Sequence, residues 1–312
     1  MSDPVLVVDR ITKRFGHLTA VNELSLSVPR GSVYGMIGPN GAGKTTTIRM
    51  ILDIIGPDSG TVTLNVATGG DRSDRIGYMP EERGLYRKMT VEQNLLFFAS
   101  LKSVPNAEAH PRIDRWLKRL DLSDWKKRPV EELSKGMQQK VQFLTTILHE
   151  PELLVLDELF SGLDPVNTEI MKDLLLEMRL HGTTVLFSTH VMEQAEKVCD
   201  AICMIDHGNK VLDATLDDIR SEFGRNALLV EGDLPAASLK TLPGVESVRS
   251  DRRRFELTLG STADVHELMS TIVGLGYVER MERQRPSLHH IFLEVAGYKG
   301  DTLAQAEAGD DT

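Results

Sequence analysis

Cysteine is scarce, with two in 312 residues, Cys199 and Cys203. Their spacing of four suits two thiols on one helical face, but one pair with no supporting cluster of ligands is weak evidence for a metal. Two buried, reduced thiols is the favoured reading. Long apolar runs are missing too. None approaches the ~18 residues that a bilayer span requires, and Leu153–Leu156 is cut short by Asp157 and Glu158. Met1-Ser2-Asp3-Pro4 has no basic region followed by an apolar core, so no secretory signal is expected. A basic excess is also absent: 36 Lys and Arg against 46 Asp and Glu leave −10. That counts against a general nucleic-acid binder. What remains is ordinary globular usage, 41% hydrophobic and 26% charged. It is enough for a real core in one large or two modest domains, at roughly 100–200 residues each.

The first half alternates β-type runs with helical stretches. Val5–Val8, Ser25–Val28 and Val33–Ile37 read as strands, Thr45–Ile55 as a helix, and Thr61–Leu64 as a strand after the Asp58-Ser59-Gly60 turn. From about Val91 to His149 the pattern is mostly helical, with Leu95, Leu96, Phe98 and Ala99 at three and four spacing. Leu153–Leu156 and Thr184–Phe187 are continuous apolar runs, as strands buried on both faces of a parallel sheet require. The expectation is an α/β core with an inserted helical block. A second pattern starts near Asn226: strands at Ala227–Glu231, Val245–Val248, Phe255–Leu259 and Tyr277–Arg283, with helices at Ala236–Thr241 and Thr262–Gly274. That βαββαβ order predicts a small ferredoxin-like α+β domain, with Ile291–Val295 as a last strand and Leu216–Gly224 as the junction. From Asp301 the chain is acidic and rich in Ala and Gly, and reads as a disordered tail.

Three segments carry chemistry. Gly38-Pro39-Asn40-Gly41-Ala42-Gly43-Lys44-Thr45-Thr46 matches G-x-x-x-x-G-K-[ST] between a predicted strand and a predicted helix. Its glycines let backbone N–H groups turn inward on phosphate, and the helix N-terminus adds its positive end. Lys44 is expected at the β- and γ-phosphates and the Thr45 hydroxyl at Mg²⁺. Second, Leu153–Leu156 ends in Asp157 and Glu158. Adjacent strand residues face opposite ways, so Asp157 suits a Mg²⁺ shell and Glu158 the attacking water. Read alone, the pair equally suits a solvated loop start. Third, His190 follows the Thr184–Phe187 strand.

Leu133-Ser134-Lys135-Gly136-Met137 lies between the first two segments, and Ser161-Gly162-Leu163-Asp164 and Ser188-Thr189-His190 follow them. This ordered set resembles the ATP-binding cassette family over roughly Val5 to Leu216, most closely the subunits of bacterial sodium- or drug-export systems. The resemblance implies a P-loop NTPase fold and a head-to-tail homodimer of cassettes that hydrolyses ATP with Mg²⁺. Within it, Glu158 and His190 are the expected catalytic residues. Phe15 and Val21, with residues 38–46, are expected to bind ATP in the same subunit. Ser134, Lys135, Gly136 and Asp164 are expected to act at the partner's ATP, and Thr45, Glu81 and Asp157 at the metal. A buried core Phe is the competing reading of Phe15, where the family more often has Tyr.

The chain departs from the family at four positions. Glu81 replaces the glutamine that senses Mg²⁺ and the γ-phosphate, adding charge near an anionic nucleotide. Lys135 replaces glycine, either attracting phosphate or pointing to solvent; Met137 replaces glutamine, and Leu159 replaces proline. The expected organisation is a cassette at 1–220 with a helical subdomain at about 85–150, an auxiliary α+β domain at 225–298, and the acidic tail at 299–312. The expected function is the ATP-hydrolysing subunit of an exporter, peripheral on the cytoplasmic face of the membrane, driving a separate transmembrane permease. A soluble ATPase regulating a ribosome or nucleic-acid machine is the alternative. The Arg252-Arg253-Arg254 run and the His289-His290 pair read as a solvated turn and an unsupported metal hint.

Overall fold

The computed structural model describes residues 3–67, 72–82, 84–222, 226–260, 263–284 and 287–297. The tail expected at 299–312 lies outside them. The chain forms two compact units, Met1–Thr215 and Leu216–Thr312.

In the first unit, β1 (Leu6–Phe15), β2 (Leu18–Val28), β3 (Val33–Ile37), α1 (Lys44–Ile51), β4 (Ser59–Leu64) and β5 (Ile76–Met79) come first. The helical block follows as α2 (Val91–Leu101), α3 (Asn106–Arg119) and α4 (Lys135–Ile147). The unit then returns to β6 (Leu153–Asp157), α5 (Pro165–Leu180), β7 (Thr184–Thr189), α6 (Met192–Val198), β8 (Ala201–Asp206) and β9 (Asn209–Thr215). One sheet has the order β2-β1-β4 and a larger one the order β5-β6-β7-β3-β8-β9. The larger is parallel except for β9. Every residue of β3, β6 and β7 is buried, which is why these strands read as unbroken apolar runs. Between the sheets, Leu6, Ile11, Leu24, Met36, Ile48, Val155 and Leu186 belong to one core cluster; each such side chain contributes about 1.5–3 kcal/mol on burial.

Two local readings change. The helix read as Thr45–Ile55 ends at Ile51, because Asp53 turns left-handed with φ 58° and no L-residue continues a right-handed helix from there. Cys199 caps α6 while Cys203 lies inside β8, so their spacing of four is not a helical face. Both thiols are free and buried, and burial pushes both up from the usual thiol range.

The second unit opens with α7 (Leu216–Glu222), then β10 (Asn226–Asp233), α8 (Ala236–Leu239), β11 (Val245–Asp251), β12 (Arg254–Leu259), α9 (Val265–Leu275), β13 (Tyr277–Gln284) and α10 (Leu288–Val295). Its antiparallel sheet runs β11-β12-β10-β13, the ferredoxin-like order expected from βαββαβ. Leu228, Val230, Leu257 and Leu259 pack with Leu268 and Ile272 of α9. The strand expected at Ile291–Val295 is instead part of α10. Leu288, Ile291 and Phe292, buried at helical spacing, decide it. In the arginine run, Arg253 pairs with Asp233 at 2.9 Å and Arg254 with Glu231 at 3.8 Å, so this hairpin turn is not an open basic patch. The described residues hold no group of three or more His, Cys, Asp or Glu suited to a metal.

Candidate nucleotide site

The strands of the parallel sheet deliver the site. Register pairs Ile37 with Thr189, Asp157 with Ser188 and Met79 with Leu156. The loops after β3, β5, β6 and β7 therefore leave the sheet at one edge, the carboxyl end where α/β sheets bind ligands.

Gly38 to Gly43 form the turn from β3 into α1. Gly43 has φ 105°, and a Cβ there would stand 2.4 Å from Ala20 O, so only glycine fits. Lys44 is 6% exposed. Its Nζ donates to Gly38 O at 2.8 Å and Pro39 O at 3.1 Å, and lies 3.4 Å from Glu158 Oε1. Thr45 and Thr46 are half-buried at the helix start, and Asn40 and Gly41 are exposed. Val21, expected to touch ATP, has no accessible surface. It braces Gly43 from behind and offers the nucleotide no face. Phe15 is 51% exposed, which removes the buried-core reading. Lys13 Nζ sits 5.8 Å from its ring centroid.

Asp157 is the last residue of β6 and Glu158 lies just beyond it, so the strand alternation expected for the pair does not reach Glu158; its direction is set by its own backbone turn. Asp157 is 1% exposed and accepts from Ser188 Oγ through Oδ1; Oδ2 is buried with no partner among the described residues. Glu158 is held by its backbone N–H, which donates to the same Ser188 Oγ at 3.2 Å. Its φ is 52°, a left-handed conformation that costs about 1–3 kcal/mol for a residue of this kind and concentrates at active sites. The Nδ1–H of His190 donates to Glu158 Oε2 at 2.9 Å. One carboxylate thus sits between Lys44 and His190, at 7% exposure.

Ser134 caps α4 and accepts from Met137 N at 3.3 Å. Lys135 is exposed. Gly136 is buried against Asn167; a Cβ would meet Asn167 Nδ2 at 2.5 Å. Asp164 caps α5 and accepts from Asn167 N at 3.0 Å and from Asn167 Nδ2 at 2.5 Å. The bond from Asn167 N, then that from its side chain, hold the Asp164 carboxyl below the usual range. Asn167 therefore links Asp164 to Gly136, two residues after Ser134 in the same chain. Glu81 follows β5 and is exposed.

Sequence reasoning missed Ser188 and Asn167. Ser188 reaches the adjacent Asp157 and Glu158 from a distant strand, where the signal was strand register; Asn167 bonds Asp164 at a helix cap and packs on distant Gly136.

An ABC transporter family profile matches residues 21–161, and one for the C-terminal domain of ATP-binding protein DrrA1-3-like proteins matches 215–296. The chain is 38% identical to the uncharacterized ABC transporter ATP-binding protein YhaQ of Bacillus subtilis, over 94% of this chain and 99% of that one. It is 34% identical to the Nod factor export ATP-binding protein I of Ralstonia nicotianae, over 95% of each. A solved ATP binding subunit of an ABC transporter superposes with TM-score 0.64 at 31% identity, over 70% of this chain and 93% of that one. These relatives leave the ribosome or nucleic-acid reading without support. The chain belongs to the ABC transporter family, as an ATP-binding, ATP-hydrolysing subunit with a DrrA-like C-terminal domain.

Proposed function

We propose that the chain powers an exporter as a head-to-tail homodimer of cassettes, working with a separate transmembrane permease on the cytoplasmic face of the membrane. The observation that carries the motor reading is the three-way contact of Lys44, Glu158 and His190 on one buried carboxylate. It supplies a phosphate cation, a base and an orienting group within one site. Two further facts support the assembly. Among the described residues no helix is long and apolar enough to cross a membrane, so export by this chain calls for a spanning partner. The Nod factor relative bears export in its name.

In this reading the residues of 38–46 cradle the phosphates and Phe15 stacks on adenine. Glu158 takes the proton of the attacking water, and His190 holds Glu158 in place through Nδ1. Ser134 and Gly136, at the positive end of α4, meet the γ-phosphate of the partner's ATP. Asp164 and Lys135 lie on the same dimer-facing surface. The buried, unpartnered Asp157 Oδ2 fits a hard cation. Thr45, Asp157 and Glu81 would hold Mg²⁺, which when bound neutralises phosphate charge. Domain roles follow the same scheme: cassette at 1–220, helical subdomain at about 85–150 facing the permease, auxiliary domain at 225–298.

The test is purification from detergent-solubilised membranes with nucleotide and Glu158→Gln. A dimer that carries a long membrane-spanning polypeptide is expected. A monomer with no spanning partner, under conditions where ATP is bound, would sink the assembly.

A further inference from the structure

Two side chains of α4 reach back to loops of their own subunit. Gln139 Nε2 donates to Leu159 O at 3.0 Å, the residue after Glu158. Less than one turn later, Gln142 Nε2 donates to Pro80 O at 3.1 Å and Glu82 O at 3.2 Å. Those two carbonyls bracket Glu81. Gln142 is 3% exposed, and its Oε1 is buried with no partner among the described residues.

A buried amide that satisfies both donors on one loop while stranding its acceptor is a costly core residue. An apolar side chain of equal volume would fill the space without the stranded oxygen. What the amide achieves is the placement of a loop. That loop follows β5, whose Met79 pairs with Leu156, so the chain carrying Glu81 leaves the sheet beside Asp157. The Glu81 carboxylate has no hydrogen bond or ion pair of its own among the described residues. What is held is the backbone on either side of it, the Pro80 and Glu82 carbonyls, and Gln142 holds both.

We infer that Gln142 is a positioning residue for Glu81, setting where its carboxylate meets the metal on the subunit's own ATP. Because α4 also begins with Ser134, the same helix then ties one ATP's metal loop to the surface that meets the other ATP. The inference rests on the reading that Glu81 faces Mg²⁺.

The experiment is a double-mutant cycle in the full-length chain with Gln142→Met, Glu81→Ala and the pair. It reads the Mg²⁺ concentration for half-maximal ATPase, with ATP affinity in EDTA and thermal unfolding alongside. Gln142→Met is expected to raise the Mg²⁺ requirement about fivefold, the worth of about one net hydrogen bond, and to leave ATP affinity in EDTA unchanged. The pair should shift no further than Glu81→Ala alone. A shift for Glu81→Ala with none for Gln142→Met, or additive shifts in the pair, overturns the role of Gln142 and leaves Glu81 standing. No shift in any variant overturns the Glu81 reading and the inference with it. Should Gln142→Met unfold, Gln142→Asn replaces it under the same expectation, since it keeps the amide but falls one methylene short.

Discussion

The Nδ1–H of His190 donates to Glu158 across 2.9 Å, and the other oxygen of that carboxylate lies 3.4 Å from Lys44. A carboxylate so placed is oriented from one side and charge-balanced from the other. Glu158→Gln keeps the shape and removes the base. Turnover should fall by about 10²–10⁴-fold while ATP binding, followed by fluorescent-nucleotide titration, is retained. Unchanged turnover with normal binding would remove Glu158 from the chemistry.

Gly136 offers a test of the trans surface. Its substitution by Ala pushes on Asn167 Nδ2 at 2.5 Å, and Asn167 is bonded to Asp164. Gly136→Ala should bind ATP as well as the parent chain, because the phosphate loop is untouched. Hydrolysis should fall about 10²-fold, the loss typical of a misplaced oxyanion donor. Equal loss of binding and hydrolysis would place Gly136 in the subunit's own site instead.

Phe15, half exposed beside Lys13, should contribute base stacking worth about 1–3 kcal/mol. Phe15→Ala is therefore expected to weaken ATP about tenfold or more and to leave inorganic triphosphate binding unaltered. Phe15→Tyr should bind like the parent. Calorimetric titration with both ligands separates the base from the phosphates, and equal weakening of both would refute the stacking role.

Acid stability follows from His149. Burial, then the nearby Lys102 charge, lower it from 6.5 to about 4, while its Nε2 meets Ile76 O at 3.2 Å. Between pH 6.5 and 4 the unfolded chain binds this proton and the folded chain does not. Stability from this group is thus complete above 6.5 and is lost as pH falls towards 4, by about 3 kcal/mol at most. Urea unfolding of the parent and of His149→Gln across that range should show a shallower acid decline in the variant. Parallel declines would mean that other groups set the slope.

Much of this site was legible because its determinants are local. Gly38–Thr46 combines strand, turn and helix start in one stretch, and β3, β6 and β7 announce burial on two faces by unbroken apolar runs. What stayed hidden depends on distance in the chain. Ser188 reaches Asp157 only through the pairing of β6 with β7. Gln142 reaches Pro80 across 62 residues. The misreading of Ile291–Val295 has another cause: five residues with four apolar ones suit either period, and the deciding residue, Leu288, lies outside them. Val21 shows the limit of a motif, since family position says where a residue stands but not whether packing leaves it a surface.

The shared hydroxyl of Ser188 has a consequence for how this sequence can change. Glu158 N–H gives to Ser188 Oγ, and Ser188 gives its own proton to Asp157, so the chain of bonds runs one way. It exists only while Asp157 stands opposite Ser188. Side chains alternate along a strand, so removing one residue from β6 would not merely displace the acidic pair. It would turn Asp157 to the other face and draw Glu158 opposite Ser188, setting the base where the metal ligand belongs. Substitutions in β6 can be graded in their effects; a single-residue insertion or deletion there cannot.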